Sequence, residues 1–129
     1  MSIEYDKLDK FTKAYVTAAL WSTNDDDGTP LDSNYDQDSL APETLEKIAA
    51  DCERFQREME AHLIEDNCDY RGCPVEQYAG HDFWLTRNGH GCGFWDGDWK
   101  ESAATILTDA AHTYGEFELY IGDDGLIYA

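Results

Sequence analysis

A chain of 129 residues fits one ordinary domain and is long enough to bury a core without covalent or metal staples. Its 42% hydrophobic and 13% aromatic content excludes wholesale disorder. Against 9 Lys and Arg stand 28 Asp and Glu, a net charge of −19; such a field repels phosphate backbones and anionic lipid and attracts basic surfaces and divalent cations. The expected partner is therefore a protein with a basic surface, with no direct nucleic-acid or membrane contact.

The N-terminal MSIEYDKLDKFTKAYVTAAL lacks a basic segment followed by a long apolar run, and no uncharged stretch approaches a membrane span, so a cytoplasmic protein is expected. In that compartment Cys52, Cys68, Cys73 and Cys92 are expected as reduced thiols. Leu8, Phe11, Tyr15 and Ala18 fall at steps of three and four and predict an amphipathic helix over about 5–21. The segment at about 22–41, rich in Asp, Asn, Ser, Gly and Pro, reads as an acidic loop.

A second helix follows through PETLEKIAADCERFQREMEAHLI, with Pro42 suited to its first turn. Its seam of Leu45, Ile48, Cys52, Phe55, Met59 and His62 fits the chain's own core, and also fits a second copy as a homodimer. DFWLTR and GFW, separated by NGHG, read as two strands and a tight turn, since Asn-Gly supplies the positive backbone angles of a hairpin. DWKESAATILTDAAHTYG predicts a third helix with Ala103, Ile106, Leu107, Ala110 and Tyr114 on one face and Gly115 as its stop. FELYI and LIYA around GDDG read as a second hairpin. The expectation is a single α+β domain, 1–129, in the order ααββαββ, with a small antiparallel sheet of two hairpins packed on helices.

The stretch HDFWLTRNGHGCGFWDGDW at 81–99 concentrates three of the four Trp with glycine. Its structural reading is a set of cross-strand core pairs among Phe83, Trp84, Leu85, Phe94 and Trp95. Its catalytic reading makes His90 a general acid or base oriented by Asp96 or Asp98, with Cys92 or Cys73 nearby. No Gly-x-Ser-x-Gly elbow, phosphate loop or HExxH accompanies them, so no catalytic residue is assigned. Cys68, Cys73, His81, His90 and Cys92 do not spell two close-spaced ligand pairs, and an EF-hand register with Gly28 at its sixth position would put Thr23 first and Asn34 last. Neither a metal nor a cofactor is expected.

What remains is charge. From Ala14 to Glu46 there is no Lys or Arg, while Asp25, Asp26, Asp27, Asp32, Asp36, Asp38, Glu43 and Glu46 accumulate. With Glu53 and Glu60 of the second helix they form the expected partner-binding set, and His90, Trp95, Asp96 and Asp98 a secondary contact. A charge run commonly serves solubility alone. The sharper reading is mimicry of a phosphate row, because duplex DNA presents roughly one charge per 1.7 Å of axis.

The 81–99 block, followed by a helix and FELYIGDDGLIYA, resembles small acidic proteins encoded by tailed bacteriophages and prophages, over about residues 80–129. The resemblance implies expression inside a bacterial host and brings no catalytic residue or cofactor with it. In charge and size, though not in a shared motif, the chain is also similar to phage inhibitors of restriction, CRISPR and repair enzymes that act as phosphate mimics. A non-enzymatic accessory protein that inhibits a defence or DNA-processing enzyme is the leading expectation. A small enzyme centred on His90 and a virion component assembled through the second helix are the alternatives.

Overall fold

The computed structural model describes residues 4–70, 72–89, 93–95 and 97–129. Among them are four α-helices, α1 (Lys10–Ser22), α2 (Pro42–Glu58), α3 (Val75–Arg87) and α4 (Glu101–His112), and two short strands, β1 (Tyr120–Ile121) and β2 (Ile127–Tyr128). The expected ααββαββ order with two hairpins is therefore wrong: the protein is mostly helical, and its sheet is one antiparallel ladder with Tyr120 opposite Tyr128 and Ile121 opposite Ile127.

The error lies in DFWLTRNGHGCGFW. Residues 83–87 are the second half of α3, which begins in a stretch that carries no clear helical period. Ala79, Gly80 and every residue from Asp82 to Arg87 are buried, so α3 has little polar face and its apolar run looks like a strand. Asn88 and Gly89 then end the helix rather than turn a hairpin. Gly89 sits at φ +70° and its N–H donates to the Thr86 carbonyl, a left-handed stop that Asn-Gly serves as well as it serves a tight turn. Phe94 N–H donates to Thr86 Oγ1 at 3.1 Å, folding residues 93–95 back on the helix end instead of pairing them as a strand. The middle of the expected turn, His90 to Cys92, lies outside the described residues.

Elsewhere the side chains explain the elements. Asp9 caps α1 by accepting from Thr12 N–H at 2.8 Å. Leu45, Ile48, Cys52 and Phe55 of α2 are buried in the chain's own core, and α2 ends at Glu58, one turn and more before the expected Ile64. In α4 the inward face is Ala103, Ala104, Leu107 and Ala111, while Ile106 stands exposed. The core centres on rings from three helices: Phe55 stacks on Phe83 at 4.1 Å, and Phe11 and Tyr15 pack on Phe83 at 5.9 and 5.5 Å. Fully burying each such ring stabilises the fold by about 1.5–3 kcal/mol.

The loop at 22–41 is folded. Asp25 accepts from Asp27 N–H and Thr29 N–H at 2.9 and 3.0 Å, Asp36 accepts from Asp38 N–H at 2.9 Å, and Leu31 is buried. Leu40 bridges to Ile127, and Thr44 Oγ1 donates to the Ile127 carbonyl at 2.9 Å, so the end of the loop and the start of α2 are tied to the C-terminal hairpin.

Candidate functional site

The acidic residues singled out in the sequence fall into two groups. Asp25, Asp26 and Asp27 line a 290 Å³ depression with Leu119, Tyr120 and Ile121. Tyr120, 58% exposed, stacks on Tyr128 at 5.9 Å, and Tyr128 O–H donates to Asp124 at 2.6 Å. The negative charge of Glu43, on the first turn of α2, also reaches Tyr128. Asp38 borders a further 470 Å³ groove with Glu4 and Asp6. Loop, α2 start and hairpin thus present acids around a pair of stacked tyrosines, and Asp32 and Glu46 are exposed on the same segments.

Glu53 and Glu60 lie elsewhere, in a 390 Å³ groove with Asp9, Gln56 and Glu76. Glu53 is paired with Arg57 at 2.6 Å, which neutralises part of that group. Asp51, on the same helix, turns to Arg87. Two of the loop acids, Asp25 and Asp36, spend their side chains on backbone N–H groups and so shape the loop that presents the others.

The secondary contact divides too. Trp95 is 52% exposed and borders a 410 Å³ depression against Glu101 and Thr105 of α4. Asp98 accepts from the Tyr78 hydroxyl, which gives its carboxylate a structural partner. His90 and Asp96 lie outside the described residues, as does Cys92. Among the described residues no group of three His, Cys, Asp or Glu side chains is arranged to hold a metal ion. Cys52 and Cys68 are buried, and Cys73 is half-buried.

A second surface was not singled out in the sequence. A 440 Å³ cleft runs between α1 and α3, lined by Lys10, Lys13 and Thr17 on one side and by Tyr70, Cys73, Tyr78 and His81 on the other. Tyr70 stacks on Tyr78 at 4.4 Å, and Trp21 lies against His81 at 5.5 Å. Burial, with the negative charges of Asp82 and Glu76, pushes the Cys73 thiol up, which opposes the thiolate that a Cys–His nucleophile requires. Lys10 and Lys13 were legible in the first helix; the facing wall was hidden because residues 70–81 precede the expected strand at 82–87 and belong to no expected element, whereas 75–81 are the first half of α3.

Comparison with protein-family models, with curated proteins and with solved structures found no match to this chain. Among the described residues no helix is long and apolar enough to cross a membrane.

Proposed function

We propose that this protein is a non-enzymatic, phage-type accessory protein of the bacterial cytoplasm that docks through its acidic face on a basic protein surface, the nucleic-acid groove of a defence or DNA-processing enzyme. The observation that carries the reading is the convergence of acids from three separated segments on the stacked pair of exposed Tyr120 and half-buried Tyr128. Asp26, Asp27, Glu43 and Asp124 come from the loop, the α2 start and the hairpin, while Asp38 lies in the adjoining groove with Glu4 and Asp6. Carboxylates beside exposed aromatic faces suit Arg-rich partners, which take both ion pairs and cation–π contacts. Attraction from a −19 chain makes association fast and salt-sensitive.

The test compares the wild type with a variant carrying Asp26→Lys, Asp27→Lys, Asp32→Lys, Asp38→Lys and Glu43→Lys. Asp25 and Asp36 stay, because their side chains hold the loop. Tagged protein is used to capture partners from bacterial lysate at two salt concentrations, with and without competing duplex DNA. The reading expects nucleic-acid-binding proteins that duplex DNA displaces, that moderate salt weakens and that the variant does not retain. Equal retention by the variant, or no displacement by DNA, overturns it.

A further inference from the structure

We propose that the depression between Trp95 and α4 is a receptor for an arginine side chain of a partner protein. None of its lining residues belongs to the acidic loop or the hairpin, and it rests on the reading above only in taking that partner to be basic.

The lining carries the first step. Trp95 stays 52% exposed, and among the described residues its indole has no ring, cation or hydrogen-bond partner. An exposed Trp of this kind marks a contact surface. Glu101 and Asp109, both exposed, border the same 410 Å³ depression, and no side chain lining it is basic. Among the described residues neither acid is paired with a base, whereas Asp51, Glu53 and Glu58 of α2 all are. Buried Trp99 and Ala104 give the depression an apolar floor, which suits the methylene stem of a long base.

Geometry selects arginine over lysine. A guanidinium lies flat on a single indole while its edge forks to a carboxylate, so Trp95 and one acid engage it together. An ammonium is a strongly hydrated point charge without the fork. Thr108 also lines the depression, and its hydroxyl is enclosed with no hydrogen-bond partner among the described residues. A turn between the two rotamers open to threonine in a helix presents that hydroxyl as an acceptor for a remaining guanidinium N–H. Glu101 and Asp109 stand eight residues apart, about 12 Å along the helix, so a single arginine takes one of them and leaves the other for a neighbouring base of the partner.

The experiment titrates the isotope-labelled full chain, at constant ionic strength, with the end-blocked peptide Gly-Arg-Gly and with its lysine and citrulline counterparts, followed by amide and indole NMR. Trp95→Phe assigns the Trp95 indole signal. Saturable shifts are expected at that indole and in residues 101–109, with the lysine peptide at least about threefold weaker and the neutral citrulline peptide at least about tenfold weaker. Trp95→Leu should weaken the arginine peptide by about tenfold, and Glu101→Gln with Asp109→Asn, or Thr108→Val alone, by about threefold. Dispersed spectra of the variants establish that they fold. The charge-reversed variant of the acidic face should keep these shifts, so that failure of the acidic-face reading and failure of this site are told apart. Absence of saturable shifts at Trp95, equal affinity for the three peptides, or a Trp95→Leu variant that binds as the wild type does would each overturn the proposal.

Discussion

Arg87 Nη1 donates to Asp51 Oδ2 across 2.9 Å, joining the end of α3 to the middle of α2 inside the protein. The guanidinium is 3% exposed, and its other donors are met by Tyr15 Oη at 3.1 Å and by the carbonyls of Tyr114 and Gly115 at 3.0 and 2.8 Å. It also lies over the rings of Phe83, Tyr114 and Phe117. One planar cation thus fastens α1, α2, α3 and the segment after α4.

Arg87→Met should lower stability by about 3–5 kcal/mol, because it leaves Asp51, the buried Tyr15 hydroxyl and the part-buried carbonyls of Tyr114 and Gly115 without their shared donor. Arg87→Lys should recover little, since a single ammonium cannot reproduce the fork. Asp51→Ala should cost less, about 1–3 kcal/mol, because Asp51 is 32% exposed and the guanidinium keeps its other acceptors. Urea midpoints at unchanged m give these differences; an Arg87→Lys midpoint equal to the wild type would show that the fork is not what matters.

Gly80 tests how closely α1 and α3 approach. Alanine there gains about 1 kcal/mol of helix propensity, but its methyl would overlap the backbone carbonyl of Phe11, and backbone yields only if the helices separate. Overpacking of this kind costs about 1–3 kcal/mol or more, so Gly80→Ala should be net destabilising. Gly89→Ala meets no neighbour and should cost only about 1 kcal/mol, for its positive φ. A thermal-melt series that ranked Gly89→Ala as the worse of the two would contradict the packing.

The hairpin bond between Tyr128 and Asp124 has a pH window. Donation to the Asp124 carboxylate, with the adjacent negative charge, pushes the Tyr128 phenol up to about 12, and the same bond holds Asp124 below its usual 3.8. A raised phenol contributes stability that is intact below about pH 10 and fades as pH rises through 12; a lowered carboxylate contributes above about pH 4 and fades in acid. Ultraviolet titration of the tyrosines should show Asp124→Asn bringing the Tyr128 transition down towards 10. No movement in that variant would place the cause elsewhere.

Thiol chemistry should separate the described cysteines. Burial pushes the Cys52 thiol well up, Cys68 is equally enclosed, and Cys73 is half-buried at the α1–α3 cleft with its thiol also raised. At neutral pH a maleimide should label Cys73 before Cys52 and Cys68, at a rate below that of a free thiol and climbing with pH past 9. Peptide mapping after timed labelling reads the order. Faster than free-thiol reaction at Cys73 would indicate an activated nucleophile and favour an enzyme.

Charge, the α2 seam from Leu45 to Phe55, Pro42 at the start of α2 and Gly115 after α4 are local properties, and the sequence by itself determined them; the seam's expected continuation through Met59 and His62 falls beyond the end of α2 at Glu58. Leu45, Ile48, Cys52 and Phe55 recur at helical spacing because one side of α2 meets water, and Gly115 stops the chain after α4 because glycine accepts φ +71°. The nature of α3 was decided only by tertiary structure. A helix buried from Asp82 to Arg87 loses the polar face whose period would announce it, and Asn88-Gly89 serves equally as helix stop or hairpin turn until its neighbours are known. The same holds for the surfaces. Acids counted along the chain do not reveal that Asp51 points inward, that Glu53 is neutralised, or that the hairpin brings Tyr120 to Asp25–Asp27. The cleft of Lys10 and Lys13 exists only because α3 packs against α1, a contact between residues some sixty positions apart that no local pattern encodes.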